Sequence, residues 1–122
     1  MSQFWALMWD IKPGSEETVA KLFEDYGRPD FEVTDDDGNV IGKLLSTQVF
    51  LKDTTVVRVI EVEGDFAAVA RHMARQPAIR ALEAELDKHI AVPRDMSTPE
   101  GARAFFQSAM MRPLAARRAD DE

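Results

Sequence analysis

The chain has 122 residues, 45% of them hydrophobic, and a formal net charge of -7 at pH 7, with a sequence pI near 4.8. That length supports one domain with a single core, and the acidic balance argues against nucleic acid or an anionic membrane as partner, since both favour a basic surface. The lack of cysteine excludes thiol nucleophiles, disulfides and thiolate metal sites. It is compatible with a reducing cytoplasm, and a cytoplasmic location is expected because no signal-peptide pattern or transmembrane stretch is present.

The first predicted element is a strand over Phe4 to Ile11, rich in large apolar residues and stopped by Lys12-Pro13-Gly14. Trp5, Leu7 and Trp9 share one face of it, and Ala6, Met8 and Asp10 the other. Ser15 then acts as N-cap, and Glu16 and Glu17 suit the positive start of a helix. Val19, Leu22, Phe23 and Tyr26 follow helical spacing up to Gly27, with Pro29 just beyond. From Asp30 to Leu45 the turn signal Asp35-Asp36-Asp37-Gly38-Asn39 separates Phe31-Glu32-Val33 from Val40-Ile41. A small hairpin and an ordered loop fit that pattern equally well.

Thr47 to Leu51 and Thr55 to Val62 flank Lys52-Asp53-Thr54 and read as a β-hairpin. Val56, Ile60 and Val62 lie on one face of the second strand with Arg58, and Val57 and Val59 on the other with Glu61. Both faces are therefore expected to be mostly buried, one against a helix and the other against a second sheet. Glu63-Gly64-Asp65 ends the strand, and Asp65 caps a helix whose Phe66, Val69, Ala70 and Met73 fall at i, i+3, i+4 and i+7. Pro77 starts another, striped by Ile79, Leu82, Leu86 and Ile90.

Farther on, Ser97 with Glu100 has the pattern of a capping box, which favours a helix from Thr98 to Met110. Gly101 weakens a helix, and a ferredoxin-like arrangement still lacks its last strand, so Arg103 to Met111 is assigned to that strand. The domain then covers residues 1–112, and residues 113–122 form a disordered tail. The order β-α-β-β-α-α-β is α+β and ferredoxin-like, an antiparallel sheet with helices on one face. Its uncovered face, apolar on the side of Val57 and Val59 or of the tryptophans, predicts a face-to-face homodimer.

The segments VVRVIEVEGDF, VARHMARQPAIRALE and PRDMSTPEGARAFF resemble the SchA/CurD-like proteins of actinobacterial aromatic polyketide and spore-pigment clusters, and the likeness covers roughly Met8 to Met111. The layout is also similar to tetracenomycin-type polyketide cyclases and small antibiotic-biosynthesis monooxygenases, which are dimeric α+β barrels. The resemblance implies work on an aromatic polyketide; the leading expectation is that this needs no cofactor, and other polyketide synthase enzymes are candidate partners. Three activities fit it: ring closure and aromatisation, cofactor-independent oxygenation to a quinone, and non-catalytic binding that shapes the outcome of partner enzymes. It brings no catalytic motif that transfers residue by residue.

Cyclising a poly-β-ketone needs an apolar cavity that folds the chain, a group that removes a proton between two carbonyls, and donors for the enolate oxygen. Arg58, alone among apolar residues on its strand, is the leading candidate for the oxyanion donor. The competing reading, somewhat favoured, pairs it with a carboxylate such as Asp10 or sends it to the sheet edge. His72 is a candidate base, although its place on the flank of the helical stripe favours a half-exposed structural role. His89 is read as a partner for carbonyls at its helix end. Tyr26 is a candidate donor into a pocket between helix and sheet, against a plain core role. Trp5, Trp9, Phe50, Phe105 and Phe106 either wall an aromatic cavity or belong to core and interface. The acidic run at Asp35 is out of register with a calcium loop and reads as a solvated turn, and two histidines in separate helices with no cysteine give no metal site.

Overall fold

Three stretches of the chain carry enough β-branched and aromatic residues to build long strands. In the computed structural model, which describes residues 2–27 and 29–119, they are β1 (Ser2–Asp10), β3 (Val40–Lys52) and β4 (Thr55–Gly64), with a short β2 (Glu32–Thr34). The sheet runs in the order β1-β4-β3-β2, and every neighbouring pair is antiparallel. Four helices complete the α+β fold: α1 (Glu16–Asp25), α2 (Phe66–Arg75), α3 (Pro77–Leu86) and α4 (Pro99–Ala109).

Of the two readings of residues 30 to 45, the hairpin is the one found. Asp35 accepts from the backbone N–H groups of Asn39 and Asp37, each at 2.9 Å, and these bonds hold its carboxyl below the usual carboxylate range. Gly38 completes the turn at a φ of 84°, a conformation open to glycine at no steric cost.

The register fixes what each face carries. Trp9, Leu7 and Trp5 lie opposite Val56, Arg58 and Ile60, and all of these turn toward the helices. Ile11, Val19, Val56, Leu82, Leu86 and Ile90 form one buried cluster beneath α1 and α3, with Trp9, Phe23 and Tyr26 packed on it. Val33, Leu44, Val62, Ala68 and Val69 form a second beneath α2, with Trp5, Ile60 and Phe66 packed on it. The expected caps are only partly realised. The Asp65 carboxylate accepts from the Ala67 N–H at 3.0 Å, whereas Ser15 makes no side-chain cap bond and places its hydroxyl 3.0 Å from Nδ1 of His89. His89 thus ties the end of α3 to the start of α1 through a side chain, in place of the expected bonds to helix-end carbonyls.

The other face of the sheet is open in the single chain: on β4 itself Val57, Val59 and Glu61 are half-buried between their neighbour strands, while the residues flanking them are more exposed. Phe4, Met8 and Phe50 are 49, 47 and 57% exposed there, because no second sheet lies among the described residues to cover them.

The largest correction concerns Arg103 to Met111, assigned to a final strand. That stretch is α4 as far as Ala109, followed by a single antiparallel bridge between Met110 and Leu7. Thr98, not Ser97, is the N-cap: its hydroxyl accepts from the Gly101 N–H at 3.0 Å, and Pro99 occupies the first turn, where its missing N–H costs nothing. Ser97 instead donates its hydroxyl to Asp95. Gly101 is needed here, since a Cβ at that position would lie 1.8 Å from the carbonyl oxygen of Asp95. The place beside β1 that a last strand would fill is marked by the Met110 bridge, by Met111 N–H donating to the Ala6 carbonyl at 2.8 Å, and, at the end of β1, by the Ile11–Ile90 bridge with Ala91 N–H donating to the Asp10 carbonyl at 3.0 Å. Of the expected disordered tail, Asp120 to Glu122 lie outside the described residues.

Candidate ligand-binding cleft

Alternation along β4 sends Val56, Arg58, Ile60 and Val62 to the helix face. Arg58 therefore falls between the two apolar clusters, opposite Leu7 on β1 and Val49 on β3. Asp10, its suggested partner, lies on the opposite face and accepts from the Thr55 hydroxyl at 2.9 Å. Arg58 Nε instead donates to Thr47 Oγ1 at 3.1 Å, and among the described residues no carboxylate pairs with it. A guanidinium held by a neutral hydroxyl keeps its other donors for an oxygen-bearing ligand.

Thr47 opens onto a cleft of about 360 Å³ between α1 and the outer part of β3. Its walls are largely apolar, with Val19, Phe23, Val49 and Val56 among them, and the lining residues with polar side chains are Glu24, Tyr26 and Thr47. An apolar hollow with a few polar side chains in its lining is the ordinary form of a small-molecule site. The fold thus brings Arg58, through Thr47, together with Tyr26 and Phe50, a wall of the cleft that also reaches a second hollow by the β3–β4 turn.

The remaining expected site residues lie elsewhere. His72 Nε2 is 2.9 Å from the Asp30 carbonyl oxygen, and the neighbouring Gln76 side-chain amide also bonds the backbone of Asp30, so the two fasten the segment entering β2 to α2. Trp5 packs against Phe66 with ring centres 4.8 Å apart and planes tilted by 39°. Trp9 meets Phe105 edge-on at 5.8 Å, and Phe105 in turn contacts Phe106 at 5.9 Å. Both indole nitrogens are buried without a hydrogen-bond partner among the described residues.

Two groups escaped the sequence reading. Glu24 and Thr47 join Tyr26 in the cleft only because α1 lies along β3, which no local pattern states. On the open face, Glu61 accepts from Ser2 Oγ at 2.7 Å and Ser46 Oγ at 3.4 Å, and Arg118 lies 3.8 Å from it. Among the described residues no group of three or more His, Asp or Glu side chains is placed to hold a metal ion, and no helix is long and apolar enough to cross a membrane.

The SchA/CurD like domain matches residues 2–118, nearly the whole chain. The chain belongs to the SchA/CurD-like family. This SchA/CurD-like chain is 43% identical over 106 residues to "Polyketide synthase CurD" of Streptomyces cyaneus. It is 40% identical to the "42.8 kDa protein in whiE locus" of Streptomyces coelicolor and 41% to "Protein SchA" of Streptomyces halstedii, again over 106 residues. Each match takes in 87% of the chain and 25 to 28% of the relative, so the chain spans about a quarter of the length of these relatives. No solved structure matches it.

Proposed function

We propose that this protein binds an aromatic polyketide intermediate in the α1–β3 cleft and promotes its cofactor-free ring closure. The observation that carries this reading is Arg58, a cation with no carboxylate partner among the described residues, bonded to Thr47, which lines an apolar cleft. Glu24, the carboxylate of that cleft, removes a proton from a methylene between two carbonyls. The enolate carbon, its oxygen facing the Arg58 guanidinium, then attacks a second carbonyl of the same chain; a C–C bond forms as the C=O π bond opens, the alkoxide takes the Tyr26 proton, and the tyrosinate recovers a proton from Glu24. Glu24, again a carboxylate, takes the remaining proton of the attacking carbon and returns it to the departing hydroxide, and the water so lost carries the ring toward aromaticity. Membership of the SchA/CurD-like family, with relatives named for a polyketide synthase and for the whiE locus, supports the substrate class, and other polyketide synthase enzymes are the natural source of that substrate.

In the same reading a second copy covers the open sheet face, giving a ferredoxin-like dimeric α+β barrel. Across that face lie Ala6, Val59 and Gln48 in the middle row, with Met8, Val57 and Phe50 beside them. Apart from Glu61, which is held by Ser2, Ser46 and Arg118, charges gather at the ends, Glu63 with Lys43 and Asp10 with Lys52, so each end offers both signs to a copy turned about a two-fold axis.

The test is incubation of the wild type and Arg58→Gln with a poly-β-ketone pool, in air and without oxygen, reading products by mass. Products lighter by one water in both atmospheres, and lost in Arg58→Gln, are expected. Gain of oxygen only in air would replace this reading with a cofactor-independent monooxygenase. Unchanged product masses with retained ligand binding would leave a binding role.

A further inference from the structure

Strand β3 is 13 residues long, yet β2 pairs only with its first part: Glu32, Val33 and Thr34 lie against Lys43, Gly42 and Val40. The register then shifts between Leu44 and Ser46. From Ser46 to Lys52 the strand pairs with β4 on one side, and no strand pairs with its outer side among the described residues. Alternate residues of such a strand turn their amide and carbonyl groups outward, a ready template for another strand.

Natural sheets usually blunt a free edge with charge, proline or a cover. Here the run Leu44-Leu45-Ser46-Thr47-Gln48-Val49-Phe50-Leu51 contains no charge and no proline. Leu45, Phe50 and Leu51 are 37, 57 and 39% exposed. An unguarded, charge-free strand edge with exposed apolar side chains is a surface made for pairing.

We propose that this edge pairs with the same edge of a second copy, antiparallel, about a two-fold axis at Val49. That axis stands perpendicular to the sheet and keeps the helices of both copies on one side, so paired residues must share a face. Centred on the free span, the register places Val49 against Val49 of the second copy, Thr47 against Leu51, Gln48 against Phe50 and Ser46 against Lys52. No like charges meet, which a pairing of identical strands rarely achieves unless its members are neutral. The contact also completes the cleft, because Thr47, Val49, Phe50 and Leu51 line it and the added strand runs along its open side.

A two-fold axis relating open sheet faces lies parallel to the sheet and is compatible with this perpendicular one; together they generate a four-chain assembly of D2 symmetry. The edge pairing stands whether or not the cleft takes a polyketide.

Since the natural chain has no cysteine, a single introduced thiol reports one contact. Directly opposed residues of antiparallel strands have Cα atoms about 4.5–5.5 Å apart, within disulfide reach. Oxidised Val49→Cys is therefore expected to run as a covalent pair on a non-reducing gel. Val49→Lys and Val49→Glu, each folded by circular dichroism, are expected to halve the light-scattering mass alone and to restore it when mixed in equal amounts. Val49→Cys that stays a single chain on the gel overturns the proposal, as does a mass that neither charged variant changes. Crosslinking at Val59→Cys but not at Val49→Cys would also overturn it, leaving the open face as the contact.

Discussion

Helices α1 and α3 set Val19, Leu82 and Leu86 against Val56, all with almost no exposed surface, and α2 does the same with Ala68 and Val69 against Leu44 and Val62. Helix α4 is attached differently. Among the described residues β1 is the one strand or helix it packs against, and its attachment is made of specific contacts. Thr98 caps its first turn and the Asp95 carbonyl sits where only a glycine leaves room. In the segment before it, Arg94 donates to Asp87 at 2.8 Å and to Glu83 while lying 4.4 Å from the centre of the Phe105 ring. The Arg94 side chain is only 6% exposed, so it works as a polar rivet between the end of α3 and α4. Apolar burial is non-directional and tolerates small shifts; the α4 attachment depends on a few bonds in fixed directions. The first three helices should therefore stand or fall together, and α4 should be able to loosen by itself.

The hardest test of this contrast is Leu86→Ala, which leaves a cavity beneath α1 and α3 and is expected to cost about 2–5 kcal/mol of global stability, read from denaturant unfolding. Protection against hydrogen exchange should fall throughout the sheet and its first three helices. Gly101→Ala comes next, at about 1–3 kcal/mol for forcing a methyl group into an occupied space. Its effect is expected over Pro99 to Ala109, with α3 keeping its protection; an equal loss in α3 would break the distinction.

The smallest effect is acidic. Hydrogen bonds from the Ser97 hydroxyl and N–H hold the Asp95 carboxyl below its usual 3.8, so its support is full above that value and is lost as pH falls through the lower folded value. Exchange in α4 is expected to quicken first on acidification. Asp95→Asn should remove that response, and a response that persists would assign it to another carboxylate.

The same contrast explains what was legible in the chain. Val19, Leu22 and Phe23, and likewise Ile79, Leu82 and Leu86, repeat at helical spacing, so their buried faces could be read directly. Alternation along β4 likewise gave the face of Arg58. In α4 the informative residues are Thr98, Gly101 and Arg94, whose meaning lies in one hydroxyl, one missing Cβ and one distant ion pair. Gly101, read by propensity alone, argued against the helix that it makes possible. The candidate site divides in the same way: Tyr26 was found from its place at the end of α1, but Thr47 beside Arg58 needs the β3–β4 register, and Glu24 needs the docking of α1. His72, the residue best suited by chemistry to act as a base, is engaged with the Asp30 backbone instead.

The two tryptophans give this arrangement an optical consequence. Trp9 lies at the cluster beneath α1 and α3 and touches α4 through Phe105, while Trp5 lies at the cluster beneath α2, against Phe66. They are the only indoles in the chain, one to each half of the core. Nature has thus installed separate emission probes for the two halves, and replacing either with phenylalanine would let the other report alone on whether they melt as one unit.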